Sequence, residues 1–212
     1  MSFSDVASRL LPAGLTNVEL TLIAFPLALT VALLVAALRI MRVPVVAQIM
    51  AVYVDVVRMT PLLLHLFFVF FALPFIGIVL DSWPAAIVTI AFHMGAYQSE
   101  AFRSAYLAVP VGLNEAAQVL GMSRWTRLVR VAGPVAIRIA IPPLANTMLE
   151  TFRATAVVSL VAVNEIVFQG LTLGNQLHQP TETFAIVGFY FLAIGVPGSL
   201  SVRWLERRIA LP

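Results

Sequence analysis

Long apolar stretches separated by clusters of charge dominate the pattern along the chain. Four runs carry no charged residue, and a fifth stretch is apolar except for Glu150 and Arg153. Crossing about 30 Å of hydrocarbon takes about 20 helical residues, which each stretch supplies. The pattern therefore predicts an all-α integral membrane protein with five transmembrane helices. The predicted spans are residues 20–38, 59–80, 82–103, 139–161 and 183–203.

The first 17 residues differ from the rest. They contain Asp5, Arg9 and a predicted helix break at Pro12-Ala13-Gly14, without the charged, apolar and small-residue regions of a secretory signal. We expect residues 1–17 to form an interfacial lead-in outside the membrane and residues 18–209 to form the membrane domain.

Composition agrees with lipid as the solvent. Hydrophobic side chains make up 61% of the 212 residues and charged ones 11%, whereas soluble domains carry about a quarter charged residues. All 13 basic residues are arginine, and there is no cysteine. Phosphate loops that need lysine, Schiff bases and thiolate metal sites are therefore excluded. A net charge of +3 with scattered arginines gives no indication of nucleic-acid binding.

The arginines also predict an orientation. Eleven fall in segments on one side of the predicted spans, which by the positive-inside rule is the cytoplasm, so the N-terminus lies outside and the C-terminus inside. Any single arginine can equally serve only as a topology determinant or a headgroup contact. The eleven are Arg39, Arg42, Arg58, Arg103, Arg124, Arg127, Arg130, Arg138, Arg203, Arg207 and Arg208.

Residues 109–134 form the most patterned cytoplasmic segment. We expect Asn114 to cap a short helix over residues 115–120, Gly121 to end it in a left-handed conformation, and Ser123 to cap a second helix. Three-residue spacing gives the second helix a basic face of Arg124, Arg127 and Arg130. Such a segment is typical of a docking surface for a partner protein, although a helical hairpin resting on the membrane would have the same pattern.

Glu150 and Arg153 are the opposite charges that lie well inside a predicted span. Each costs roughly 2.5 to 3.5 kcal/mol at a helix centre, so neither is expected to face lipid. Three residues apart, they can pair with each other. Alternatively they face a pathway and bind the ammonium and carboxylate of an amino acid, with Asn146 one turn earlier extending the polar strip.

Other polar and small residues have structural interpretations. Glu100 and Arg103 are expected to tether the cytoplasmic end of the third span, and Thr60-Pro61 to start the second span, with gating as the alternative. A stripe of Ala28, Ala32 and Ala36 predicts close helix packing. His65, His93 and His178 lack the spacing of metal ligands, so no metal site is predicted.

Several segments carry a resemblance to a known family. Glu115-Ala116-Ala117, followed by Gly121 and Val131–Pro134, is similar to the EAA loop of importer-type ABC permeases, with Gly133 in place of the usual leucine. Met59, Ser104 and Leu113 also depart from the usual residues. The segments that resemble the polar amino acid branch of this family are Arg58–Leu63, Ala96–Arg103, Pro142–Asn146 and Val158–Val161.

The resemblance implies a type I ABC importer permease fold with cytoplasmic coupling helices, in a bacterial inner membrane. It implies a transport subunit for a polar amino acid that is not itself an enzyme and binds no cofactor. Implied partners are a second permease subunit, identical or different, an external solute-binding protein, and an ABC ATPase dimer that uses ATP and Mg. The ATPase is expected to dock on the EAA loop, with Glu115, Ala116, Ala117 and Gly121 at the contact. Arg124, Arg127 and Arg130 are expected to pair with acidic residues on the rim of the ATPase.

Other functions remain as alternatives. The permease could carry another small solute. A passive channel would give no reason for the patterned loop. An intramembrane enzyme fits poorly, because the sequence shows no cysteine, no paired intramembrane aspartates, no histidine cluster and no serine nucleophile elbow.

Overall fold

The computed structural model describes residues 3–41 and 44–209, and these residues are helical almost throughout. Arg42 of the predicted orientation lies outside the described residues. Short segments of π-helix and 3₁₀-helix lie between or after the α-helices, at Phe68–Ala72, Leu73–Ile76, Leu128–Ala132 and Thr155–Val161. The α-helices are α1 (Phe3–Ile40), α2 (Val46–Met59), α3 (Leu62–Phe67), α4 (Ser82–Leu107), α5 (Val111–Val119), α6 (Arg124–Arg127), α7 (Gly133–Ala154), α8 (Ile166–Leu177) and α9 (Pro180–Ile209).

The described helices fit a membrane protein. Three stretches are long and apolar enough to cross a membrane, namely Asp5–Ile40, Arg124–Val161 and Pro180–Arg208. A fourth candidate joins α2 to Leu62–Ile76 across a bend of 108°. The remaining predicted span is α4, a helix with half of its residues buried. The all-α membrane class is confirmed, and the count of five spans stays a prediction.

The first helix is longer than the sequence predicted. α1 runs without interruption through Pro12 and Gly14, so the expected break at this point is wrong. Val6 and Leu10 are buried in a cluster with apolar residues of α8 and α9, and the Tyr190 hydroxyl donates to the Gly14 carbonyl. This packing outweighs the local preference of proline and glycine for a turn.

The second predicted span, residues 59–80, is not one helix. α2 ends at Met59, Thr60 is extended (φ −109°, ψ 139°), and α3 begins only at Leu62. Pro61 lacks an N–H and forces the residue before it away from helical angles. Thr60-Pro61 therefore separates two helices rather than opening the first turn of one.

Close packing joins α1 to α4. Ala28, Ala32 and Ala36 on α1 are buried, as the small-residue stripe predicted. On α4, a Cβ added to Gly95 would lie 2.8 Å from Val31 Cγ1, inside van der Waals contact. Small side chains at these positions let the two helices approach closely, which is the usual source of helix association in lipid.

A buried polar cluster connects three elements at the end of the bundle opposite residues 109–134. Asn17 Nδ2 donates to Thr155 Oγ1 at 2.8 Å and to Glu165 Oε2 at 2.9 Å. Glu165 also caps α8 by accepting from the backbone N–H groups of Val167 and Phe168. Burial raises the pKa of the Glu165 carboxyl, and these donors oppose that shift. The cluster thus ties α1, the 3₁₀ turn and α8 together, a contact that the sequence did not reveal.

The π turn Leu128–Ala132 accounts for one departure from the family pattern. In this turn the backbone is wider than an α-helix, and the Cβ of any side chain at Gly133 would overlap the Leu128 carbonyl oxygen. The usual leucine would not fit here without a change in the backbone. Gly133, the first residue of α7, is therefore the residue type that fits directly after this π turn.

We predict that Gly133→Ala destabilises the protein by about 1–3 kcal/mol, because the new methyl group must displace the Leu128 carbonyl. Thermal unfolding in detergent should show a melting temperature several degrees lower. Gly112→Ala is the matched control, since a Cβ at that helical position has open space around it. An unchanged melting temperature for Gly133→Ala would contradict the steric argument.

Candidate functional site

Residues 109–134 begin with a helix, α5, that ends in a defined cap. α5 finishes at Val119, and Gly121 adopts φ +72°. The Gly121 and Met122 N–H groups donate back to the Gln118 and Ala117 carbonyls, which closes the helix in a Schellman motif. The left-handed glycine expected at position 121 is confirmed.

The two predicted N-caps of this segment have different outcomes. The Ser123 cap is confirmed, because its Oγ accepts from the Thr126 N–H at 3.2 Å. The Asn114 cap is wrong, because α5 begins one turn earlier at Val111 and Asn114 lies inside it. The N-cap position is taken instead by Pro110, whose ring fixes φ and which has no N–H.

The exposed surface of α5 is partly apolar. Glu115 and Ala116 are exposed, whereas Ala117 is buried. Val119 and Leu120 at the tip are 87% and 74% exposed. A charged helix with two uncovered aliphatic side chains at its end is typical of a protein-docking surface.

The three arginines after this helix do not form one uniform face. Arg124 and Arg127 line a polar cavity of about 240 Å³ that also involves Ile40 and Tyr106. Arg127 Nη1 donates to Gln118 Oε1 at 2.7 Å. Arg130 is exposed in the π turn and does not line this cavity.

Glu150 and Arg153 lie on α7 and form an ion pair, with Arg153 Nη1 2.7 Å from Glu150 Oε1. Both side chains are 57% exposed, so they point out of the subunit rather than into its packed interior. Asn146 shares this exposed strip, where its Nδ2 donates to Glu206 Oε1 of α9 at 3.2 Å. The pairing alternative is therefore realised, and the pair is also accessible to a ligand.

The two charges open onto different cavities. Glu150 lines a cavity of about 220 Å³ together with His93, Met94, Tyr97 and Thr147. Arg153 lines another, of about 310 Å³, between α7 and α9, with Phe191 and Ser199 among its walls. The acid and the base, paired on one face of α7, thus each border a different cavity.

The structure brings together two histidines that the sequence left apart. His65 Nδ1 and His93 Nδ1 are 3.1 Å apart, and Thr60 Oγ1 is 2.9 Å from His65 Nε2. His93 also stacks on Tyr97, with ring centroids at 5.2 Å. The four-residue spacing of His93 and Tyr97 indicates a shared helix face, but nothing in the sequence indicates the contact with His65. Within residues 3–41 and 44–209, no three His, Cys, Asp or Glu side chains form a metal-binding group.

Glu100 bridges α1 and α4. Its carboxylate binds Arg103 Nη2 at 2.6 Å and Arg39 Nη1 at 2.8 Å. The predicted contact of Glu100 with Arg103 is therefore extended by Arg39, for which the sequence indicated only a role in topology.

Comparison with known proteins then identifies the family. The family described as "Binding-protein-dependent transport system inner membrane component" matches residues 14–211. The chain belongs to this family. This permease is 33% identical over 194 residues to the L-cystine transport system permease protein TcyB of Bacillus subtilis, covering 91% of this chain and 83% of TcyB. It is 34% identical over 162 residues to the glutamine transport system permease protein GlnP of Escherichia coli K12, covering 76% of this chain and 74% of GlnP.

Solved structures show the same fold. A crystal structure of an amino acid ABC transporter with histidines superimposes with a TM-score of 0.90 at 23% identity, covering 98% of this chain and 99% of that chain. The MetNI methionine ABC transporter in an inward-facing conformation gives a TM-score of 0.78 at 16% identity, with full coverage of both chains. The permease thus has the fold of ABC transporter membrane subunits, and its role is that of a transport subunit.

We predict that Glu100→Gln destabilises the permease by about 1–3 kcal/mol, because Arg39 and Arg103 both lose their carboxylate partner. Arg39 is the more sensitive of the two, since its side chain is only 14% exposed. Thermal unfolding should show the loss. Glu182→Gln removes an exposed carboxylate and is the control, which should melt like the unmodified protein. Equal melting of all three proteins would show that the bridge contributes nothing.

Proposed function

We propose that this permease forms, with a second permease subunit, the membrane pathway of an ATP-driven importer for a polar amino acid. The observation that carries the proposal is the exposed ion pair of Glu150 and Arg153 in a helix long and apolar enough to cross a membrane. The names of the related permeases, which refer to L-cystine and glutamine, support the same substrate class.

The ion pair suits a zwitterion. A free amino acid carries an ammonium and a carboxylate, and Glu150 and Arg153 can each exchange their mutual contact for one of these groups. Glu150 and Arg153 would separate only when the ammonium of the amino acid binds Glu150 and its carboxylate binds Arg153. Each charge then keeps an opposite charge beside it inside the membrane. Tyr97 and Thr147 beside Glu150 offer hydroxyl groups for further hydrogen bonds.

Coupling to ATP hydrolysis is proposed at α5 and its cap, within residues 109–134, which are therefore named the coupling segment. Glu115, Ala116 and Gly121 would contact a cleft of the ATPase, with Val119 and Leu120 covered in the complex. Arg130 is the candidate for pairing with an acidic rim of the ATPase, a role first predicted for Arg124 and Arg127 as well. ATP and Mg would be used by the ATPase dimer, since the permease has no lysine for a phosphate loop.

The remaining assembly follows from the same proposal. An external solute-binding protein would deliver the amino acid to the outer side of a bacterial inner membrane. The arginine distribution supports an N-terminus outside and a C-terminus in the cytoplasm.

We predict that the double variant Glu150→Gln/Arg153→Met lowers amino acid uptake by about tenfold or more, because each lost charge-assisted hydrogen bond is worth about 1.5–3 kcal/mol. Uptake of a labelled amino acid is measured in vesicles containing the whole transporter. Glu182→Gln/Arg203→Met removes the same charges from exposed positions and should transport normally. Unchanged uptake kinetics in the Glu150/Arg153 variant would reject this site.

We predict that Glu115→Lys and Gly121→Asp each weaken association with the ATPase, so that less ATPase copurifies with the tagged permease. The first reverses a charge on the docking surface, and the second adds a charged side chain at a left-handed turn. Glu182→Lys makes the same charge change away from α5 and should retain the ATPase. Tight association in both α5 variants would place the docking surface elsewhere.

A further inference from the structure

An apolar cavity of about 390 Å³ opens at the end of the bundle that carries the coupling segment. It lies between the last turns of α1, the end of α4, and the start of α7. Leu33 and Leu34 of α1, which line it, are 48% and 62% exposed. The cavity therefore lies on the outer side of the subunit, at the depth where α1 approaches its end. Its other walls include Phe102, Trp125, Leu128 and Pro134.

The polar cavity with Arg124 and Arg127 adjoins this apolar one. The two share Ile40, Tyr106 and Leu128 as common walls. The combined depression is thus apolar where Leu33 and Leu34 line it. It is cationic on the other side of Ile40, where Arg124 and Arg127 line it. Leu33 and Ile40 are about 10 Å apart along the helix, a distance comparable to several methylene groups of an acyl chain.

The guanidinium groups of Arg124 and Arg127 are available to bind an anion. Neither is in an ion pair with any residue of the described ranges, and the nearest basic neighbour on α1, Arg39, is already bound to Glu100. Trp125 follows Arg124 directly, is 56% exposed and lines the apolar cavity. Tryptophan beside arginine is typical of the boundary between hydrocarbon and headgroups.

We propose that this depression is a binding site for one anionic phospholipid of the adjoining leaflet. An acyl chain occupies the apolar cavity, and the phosphate lies between Arg124 and Arg127, whose planar guanidinium groups suit phosphate oxygens. A small anion would leave the apolar part empty, and a neutral lipid would leave the two arginines uncompensated. The lipid would hold α6 against α1 and so steady the link between the coupling segment and the membrane domain. This inference does not depend on which solute is transported.

Trp125 provides the measurement. The intact transporter is reconstituted in vesicles containing phosphatidylglycerol or phosphatidylcholine with brominated acyl chains, which quench tryptophan on contact. The difference from the Trp125→Phe variant isolates the emission of Trp125. Brominated phosphatidylglycerol should quench at a mole fraction on the order of tenfold lower than brominated phosphatidylcholine, because both arginines attract an anionic headgroup.

Variants assign this preference to the site. Arg124→Gln/Arg127→Gln should abolish it, Arg124→Lys/Arg127→Lys should keep most of it, and Arg203→Gln/Arg207→Gln should keep all of it. Ala37→Phe, which fills part of the apolar cavity without adding a second tryptophan, should reduce quenching by both lipids.

Three results would overturn the proposal. One is equal quenching by the two lipids in the unmodified transporter, which is also the result expected if an acidic surface of the ATPase covers the arginines. The second is a preference that survives in the double glutamine variant. The third is loss of the preference on addition of soluble glycerol phosphate, which would make this a site for free phosphate groups.

Discussion

The close contact between α1 and α4 is the constraint on which the rest of this permease depends. Lipid gives no hydrophobic drive for two helices to associate, so they must gain van der Waals contact at short range. Ala28, Ala32 and Gly95 make that approach possible. Asn17 in the N-terminal half of α1 and Arg39 near its C-terminal end add polar contacts to the bundle. With these contacts α1 and α4 form one rigid unit against which the other helices pack.

Three of the points where the backbone departs from the α-helix lie beside polar groups. The break at Thr60-Pro61 positions His65 against His93. The π turn Leu128–Ala132 separates the basic cavity from α7, and the 3₁₀ turn Thr155–Val161 carries a partner of the Asn17 cluster. Non-helical backbone in a membrane is tolerated where protein surrounds it or a cavity adjoins it. These three departures from the α-helix therefore mark places where polar groups are held inside an apolar bundle.

Local signals in the sequence were sufficient where the structure is decided locally. Charge-free length located α4 and α9, and cap chemistry located Gly121 and Ser123. The pairing of Glu150 with Arg153 followed from their three-residue spacing. The contacts of Arg39 with Glu100 and of His65 with His93 depend on how separate helices dock, which no local pattern encodes. The break expected at Pro12-Ala13-Gly14 failed for the same reason, because burial of Leu10 against α8 and α9 decides that segment.

A continuous helical segment leads from α6, which follows the turn after α5, to the ion pair. From Arg124 through the π turn and α7 to Glu150 the chain has no loop, and the distance is roughly 40 Å at 1.5 Å per residue. A movement of α6 is therefore also a movement of the ion pair, unless this helical segment bends between them. Pro142-Pro143 lie between them, closer to Glu150 than to Arg124, and leave two backbone carbonyls without their usual N–H partners. Bending at that point would change the angle at which Glu150 and Arg153 face the pathway while the contact between α1 and α4 stays fixed.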